Sequence, residues 1–470
     1  MLAVGLFILT FVAHAWFFGG GGWNQNAHFD LTRALVERQT FHIDGYRVNS
    51  GDVSWSPVSG EWHAYSNKPP GLPFLAAVPY FALYHLERAM HLPLDSWLWM
   101  TLNVYALTLL VVAPCGAGIA VLLFRWARRY TTPSHAVLVA LIGAFGTIVL
   151  PYSTLFFSPV PAAFFLLLAF CVMDERPVLA GAAAGIAGLC FYICIPAAAV
   201  LACGAVLQRG VRRAEARRHT LKFILAGIPF GAILAWYHTV CFGAPWRTSL
   251  ETAQNFKEKG LFLGFFRTYP TKAAFWGLTF SEYRGLFFVS PVLLLALIGI
   301  WRMRRRDAAV VAAIFALFLL MVASFNWWEG GSSFGPRHIL PAIPFLVLPL
   351  AFVRARWLVA PFIVSVAINL LATAVDASPP GGIQRPIRDF YLTKRAVSIN
   401  EQTVDELIPH NLYAAGSRES TWASFNLGEF ALGAGNPWSV LPIVLWMVGG
   451  TAVLLRVAAR KADGLKPVTT

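Results

Sequence analysis

Charge is scarce in this sequence: Asp, Glu, Lys and Arg together make up 13% of 470 residues. A soluble domain carries about 25%, so a chain that is also 57% hydrophobic, with a mean hydropathy of +0.60, belongs in a bilayer. Cysteine pairs in polar loops are missing as well. All six cysteines (115, 171, 190, 194, 203 and 241) lie in or beside apolar stretches, which excludes a disulfide framework and a thiolate metal site. Cys190 and Cys194, one helical turn apart, read as buried free thiols. Residues 1–18 lack a basic leading segment and read as a first spanning helix rather than a signal peptide. Internal repeats are absent and ionisable groups within the apolar runs are few. Both features argue against the main rival class, a polytopic transporter or lipid-linked sugar flippase. The net charge of +14 is spread as short arginine clusters between apolar segments, the pattern of cytoplasmic loops and not of a nucleic-acid binder.

What is present is a succession of long apolar runs over the whole length, so residues 1–470 are expected to form one all-α polytopic membrane domain. Clusters such as Arg125/Arg128/Arg129, Arg212/Arg213/Arg217/Arg218, Arg302/Arg304–Arg306 and Arg456/Arg460 share one side if the chain crosses about twelve times. The polar segments 19–96, 242–284 and 376–436 then fall on the other side, with both termini cytoplasmic. The run 178–207 has basic residues at both ends, so it is expected to cross twice, as two short helices broken near Tyr192 to Pro196. The run 72–86, interrupted by Pro73 and Pro79, is too short to span and reads as a juxtamembrane helix.

The chain is organised around Asn24 to Gly71, a polar stretch of roughly 48 residues, a length that in a compact protein is usually functional. Phe29, Phe41, Tyr46, Trp55, Trp62 and Tyr65 give it anchors that a solvated linker lacks. Its spacing predicts an amphipathic helix over 27–38, capped by Asn24 or Asn26 and lying on the membrane surface, with Asp30 and Arg33 sharing its polar face. The first segment offers Asp30, Asp44, Asp52, His63 and Lys68 as chemical groups. Later come Arg284, at the start of one apolar run, and Glu329, Arg337 and His338, around the start of another. Arginines at helix starts of headgroup depth suit a lipid phosphate; ordinary snorkelling is the plain alternative. Among the carboxylates, Asp44 ranks first as a general base because Phe41 and Ile43 can pin it to the membrane surface. Asp52, in a glycine-containing turn, ranks second and Asp30 third.

Several stretches carry a resemblance: NQNAHFDLTRALVERQTFHID, GDVSWSPVSGEWHAYSNKPPGLPFLAAVPY, YSTLFFSPVPAAFFLLLAF, EYRGLFFVSPVLLLAL, NWWEGGSSFGPRHILPAIPFLVLP and SFNLGEF. Together the chain resembles the GT-C class of integral membrane glycosyltransferases. It is most similar to the superfamily of lipid A aminoarabinose transferases and protein O-mannosyltransferases, in its bacterial "RgtA/B/C/D-like" branch. The resemblance implies a GT-C fold of about twelve transmembrane helices with juxtamembrane helices in the first outer loop. It further implies a polyprenyl-phosphate-linked sugar donor, a glycolipid, polysaccharide or protein acceptor, and a site on the outer face of a bacterial plasma membrane. A first-loop Asp (44, 52 or 30) would be the base of an inverting transfer, Lys68, Arg284 and Arg337 would hold the donor phosphate, and His63, Glu329 and His338 would meet substrate. A divalent cation is compatible with this scheme. Four positions depart from the class: Asn24-Gln25 where an acidic pair is common, Asn67 and Tyr192-Ile193 where acidic residues are common, and Glu329 where glycine is usual.

Overall fold

A computed structural model describes residues 1–206, 213–255, 269–379, 381–392, 424–433 and 436–463. The chain is mostly helical. Five helices are long and apolar enough to cross a membrane: Trp97–Ala127, Ala214–Phe242, Arg305–Ala323, Ala355–Val375 and Pro437–Lys461. Other apolar helices among the described residues are shorter, including Leu2–Ala15, Pro133–Phe145 and Pro159–Val172. The expectation of about twelve spans is therefore met in length by five helices. The run 178–207 is two helices, Pro177–Cys190 and Cys194–Val206, with the break at residues 191–193. Pro177–Cys190 is built of Gly and Ala, which lets backbones approach closely where apolar lipid gives helices no reason to associate by hydrophobicity alone. A Cβ on Gly181 would sit 2.0 Å from the Phe223 carbonyl oxygen of the neighbouring helix. The cysteines are all free.

Polarity sorts the two ends of the helices. At one end Arg306 forks onto Asp174 with two bonds of 2.7 Å, Arg129 meets Glu175 at 3.2 Å, and Arg304 lies over the Tyr130 ring. The arginine-bearing connections thus converge. At the other end lie the first polar segment, residues 248–255 and residues 329–338. Ser249 Oγ donates to the Asn67 carbonyl at 2.9 Å, and Asn255 Nδ2 donates to the Gly51 carbonyl. A short antiparallel pairing, Phe17–Phe18 with Phe425–Asn426, ties the exit of the first helix to the SFNLGEF stretch.

Within the first polar segment the helix is Trp23–Arg33, extended by a wide turn over Ala34–Arg38; its N-cap is Gly22, with no side-chain cap. It does not lie on a surface. Residues from Gln25 to Ala34 are buried around its whole circumference, because the hairpin and the helix Gly71–Ala89 cover it. Arg33 bonds Glu37 at 2.7 Å and Asp95 rather than Asp30, and Tyr46 and Tyr80 donate to the same Glu37 carboxylate. The sequence reading also missed a β-hairpin, Val53–Ser56 paired with His63–Ser66. Residues 253–254 add to its edge through the Ser54–Ala253 bridge and the Gln254 amide on the Val53 carbonyl.

Candidate active site

The hairpin decides which carboxylates meet which cations. Asp52 enters the first strand and Asn67 leaves the second, and they are joined by the Asn67 amide on the Asp52 carbonyl at 3.0 Å. Asn67 Nδ2 donates to Asp52 Oδ1 at 3.2 Å, and Lys68 Nζ pairs with Asp52 Oδ2 at 2.9 Å. Asp44 sits at the other end. Its Oδ1 accepts from the Ala64 amide at 2.7 Å, and its Oδ2 lies 2.7 Å from His63 Nδ1 and 3.1 Å from His42 Nδ1. Ala64 and Asn67 are three strand residues apart, about 10 Å at 3.3 Å each. Asp44 and His63, expected beside the cations, are separated from them by that length.

Lys68 is held by the sequence that follows it. Pro69 and Pro70 lead into the helix Gly71–Ala89, and a Cβ on Gly71 would fall 2.4 Å from the Cys190 amide nitrogen. Only glycine fits there, so the Lys-Pro-Pro-Gly turn is pressed against the helix end preceding the 191–193 break. Burial lowers the Lys68 amine below its ordinary range; Asp52 opposes that shift and Arg337 adds to it. Lys68 and Arg337 therefore sense one another, and Arg337 also senses Asp52 and Arg284.

Arg337 stands behind the Gly330–Gly331 turn, whose φ values of +77° and +64° favour glycine. A Cβ on Gly330 would press to 2.6 Å from Arg337 Nε. Its guanidinium lies 5.2 Å over the Phe157 ring, its Nε has no hydrogen-bond partner, and it makes no ion pair among the described residues. Arg284, fully buried, differs. Its Nε donates to the Glu329 carbonyl at 3.1 Å and its Nη2 to the Gly331 carbonyl at 2.7 Å. These bonds brace the turn that carries Arg337. Glu329 contributes its backbone carbonyl to that brace. The His338 ring packs between Phe191 of the helix break and Phe325, within electrostatic reach of Arg337 and Lys68.

A second set of polar groups backs this cluster, and most of it was missed in the sequence. Asn26 Nδ2 donates to the Asn49 carbonyl at 2.6 Å, and Asn49 Nδ2 donates to Asp30 Oδ1 at 3.3 Å. Burial raises the Asp30 carboxyl well above the ordinary range, against the opposing Arg33 charge. Burial and then the Lys68 charge push His28 down to about 3. Asp30 Oδ2, both His28 ring nitrogens and the Oδ1 atoms of Asn26, Asn49 and Asn67 are buried without partners. Buried polar atoms are nearly always satisfied, so a concentration of unsatisfied ones marks a place for water or a polar ligand. The missed signal was helical: Asn26 and Asp30 recur at i, i+4 on the face that meets Asn49.

Among the described residues, His42, Asp44 and His63 form the one set of His, Cys, Asp or Glu ligands close enough to share a metal ion. No family model matches the chain, and no curated protein matches it. Among solved structures it is similar to the apo form of the Archaeoglobus fulgidus oligosaccharyltransferase, at 13% identity and a TM-score of 0.42, over 95% of this chain. The chain spans 59% of the length of that structure.

Proposed function

We propose that the chain is an integral membrane glycosyltransferase of the GT-C type. It moves a sugar from a polyprenyl-phosphate donor to a glycolipid, polysaccharide or protein acceptor at the outer face of a bacterial plasma membrane. The observation that carries this reading is the ion pair of Lys68 with Asp52 at 2.9 Å, electrostatically coupled to an Arg337 whose Nε has no hydrogen-bond partner. Two coupled cations, one of them paired with a carboxylate, suit an incoming phosphate.

In this scheme the donor phosphate draws the Lys68 ammonium from Asp52 and takes the fork of Arg337. Asp52 Oδ2, relieved of its counter-ion, accepts the proton of the acceptor hydroxyl as that oxygen bonds to the sugar's anomeric carbon. The bond to phosphate oxygen breaks on the opposite side, so configuration inverts. The charge left on polyprenyl phosphate rests on Lys68 and Arg337. Asp30, His28 and His338 offer hydrogen bonds to the sugar. Arg284 positions Arg337, and Asp44 anchors the loop.

Donor binding to purified protein tests the phosphate site. Losing a charged hydrogen-bonding partner costs about 1.5–3 kcal/mol, or about 10- to 100-fold in affinity. Arg337→Ala is expected to show that loss, and Arg337→Lys a partial recovery, because lysine has no bidentate fork. Equal affinity in wild type and both variants would remove the phosphate role.

A further inference from the structure

We infer that His42, Asp44 and His63 form a binding site for a divalent transition metal of the zinc type, distinct from the Lys68–Arg337 recess. The three ligand atoms lie within 4.8 Å of one another. The His42 and His63 rings stack with centroids 4.6 Å apart at 24°, which turns both Nδ1 atoms toward Asp44 Oδ2. The other carboxylate oxygen is fixed by the Ala64 amide at 2.7 Å, so Oδ2 is the one presented. His42 Nδ1 makes no hydrogen bond although it faces that oxygen at 3.1 Å, a geometry that suits a shared ion better than a shared proton.

Tetrahedral bonds of about 2.0–2.2 Å place ligand atoms about 3.3–3.6 Å apart. The observed 2.7 and 3.1 Å need about 0.2–0.9 Å of opening, within what rotations about the side-chain torsions supply. Two imidazoles and one carboxylate favour zinc, cobalt or nickel over magnesium or calcium, which prefer oxygen. All three side chains keep about a third or a quarter of their surface exposed, which leaves an open position for water and a path for the ion. The site joins residues 42–44 to the second hairpin strand, so a bound ion clips the loop to the strand that ends at Asn67 and Lys68.

The test is metal binding, independent of any glycosyl transfer. Chelator-stripped, tag-free protein is titrated with Zn²⁺ in equilibrium dialysis and with Co²⁺ by visible absorption. One tight equivalent per chain is expected, with the intense Co²⁺ bands of a four-coordinate site. His63→Gln, which keeps a donor toward Asp44, and Asp44→Asn are each expected to weaken binding at least about 10-fold, the lower end of what even outer-shell changes cost. Asp52→Asn, at the far end of the hairpin, is expected to retain it. Zn²⁺ is also expected to raise the melting temperature of wild type and not of His63→Gln. Wild type that takes up no zinc at micromolar concentrations, or variants that bind it equally, would overturn the site.

Discussion

Asp44 and Asp52 show how residue-level chemistry depends on strand register. Both belong to one polar loop, where the sequence pattern ranks Asp44 first, pinned to the membrane surface by Phe41 and Ile43, and Asp52 second, in a glycine-containing turn. The hairpin sends Asp52 to Lys68 and Asp44 to two histidines. Asp52→Asn is accordingly expected to lose turnover by about 10² to 10⁴, the usual cost of a general base, while donor binding stays as tight, since Lys68 loses a competing anion. Asp44→Asn should keep most turnover; steady-state rates and donor affinity for the two variants separate the roles, and an inactive Asp44→Asn beside an active Asp52→Asn would reverse them. His28 gives a pH prediction. Its ordinary value near 6.5 falls to about 3 in the folded chain, so the unfolded state binds more protons between those values. Its contribution is present above pH 6.5 and is lost as pH falls toward 3. Melting temperatures in detergent should therefore drop more steeply with acid for wild type than for His28→Gln; parallel curves would mean that His28 is not buried uncharged. The residue types were legible from sequence, but partner choice was not: Arg284 and Arg337 look alike in the sequence, and only the fold gives one to backbone carbonyls and leaves the other open.

Among the elements, the break at residues 191–193 was legible because basic residues at both ends of one apolar run leave two crossings as the consistent solution. A helix after the Lys-Pro-Pro-Gly turn was legible too, and it forms over Gly71–Ala89. The hairpin was legible in principle: Val-Ser-Trp-Ser and His-Ala-Tyr-Ser both alternate, with Pro57 and Gly60 between them. Reading the stretch as loop hid the register that sorts the site. The helix Trp23–Arg33 was misjudged because its polar face, rich in Asn, His and Asp, suggests water, whereas it packs against other polar groups inside the protein. The contact between Gly71 and Cys190 is the joint between the Lys68 turn and the broken helix. Gly71→Val is expected to destabilise by about 1–3 kcal/mol through overpacking and to weaken donor binding, read by thermal unfolding and donor titration. A variant with wild-type stability would show that the joint can shift freely.

For the whole molecule, the gathering of arginine-bearing turns at one end, and of the first polar segment with residues 248–255 at the other, matches the charge asymmetry of the sequence. The arginine end is expected to be cytoplasmic. With Cys203 replaced, an impermeant thiol reagent added to intact cells should label Glu61→Cys and spare Glu175→Cys, both at well-exposed positions; the reverse pattern would put the recess in the wrong compartment. The central claim is that this recess transfers a sugar from a lipid phosphate with Asp52 as base. Its most direct test is release of polyprenyl phosphate by purified protein given a panel of polyprenyl-phosphate sugars and membrane-derived acceptors. Wild type should release it with one donor class, and Asp52→Asn should bind that donor yet release at least about 100-fold less. Undiminished release by Asp52→Asn, or donor bound by wild type without any sugar transferred across the panel, would contradict the account.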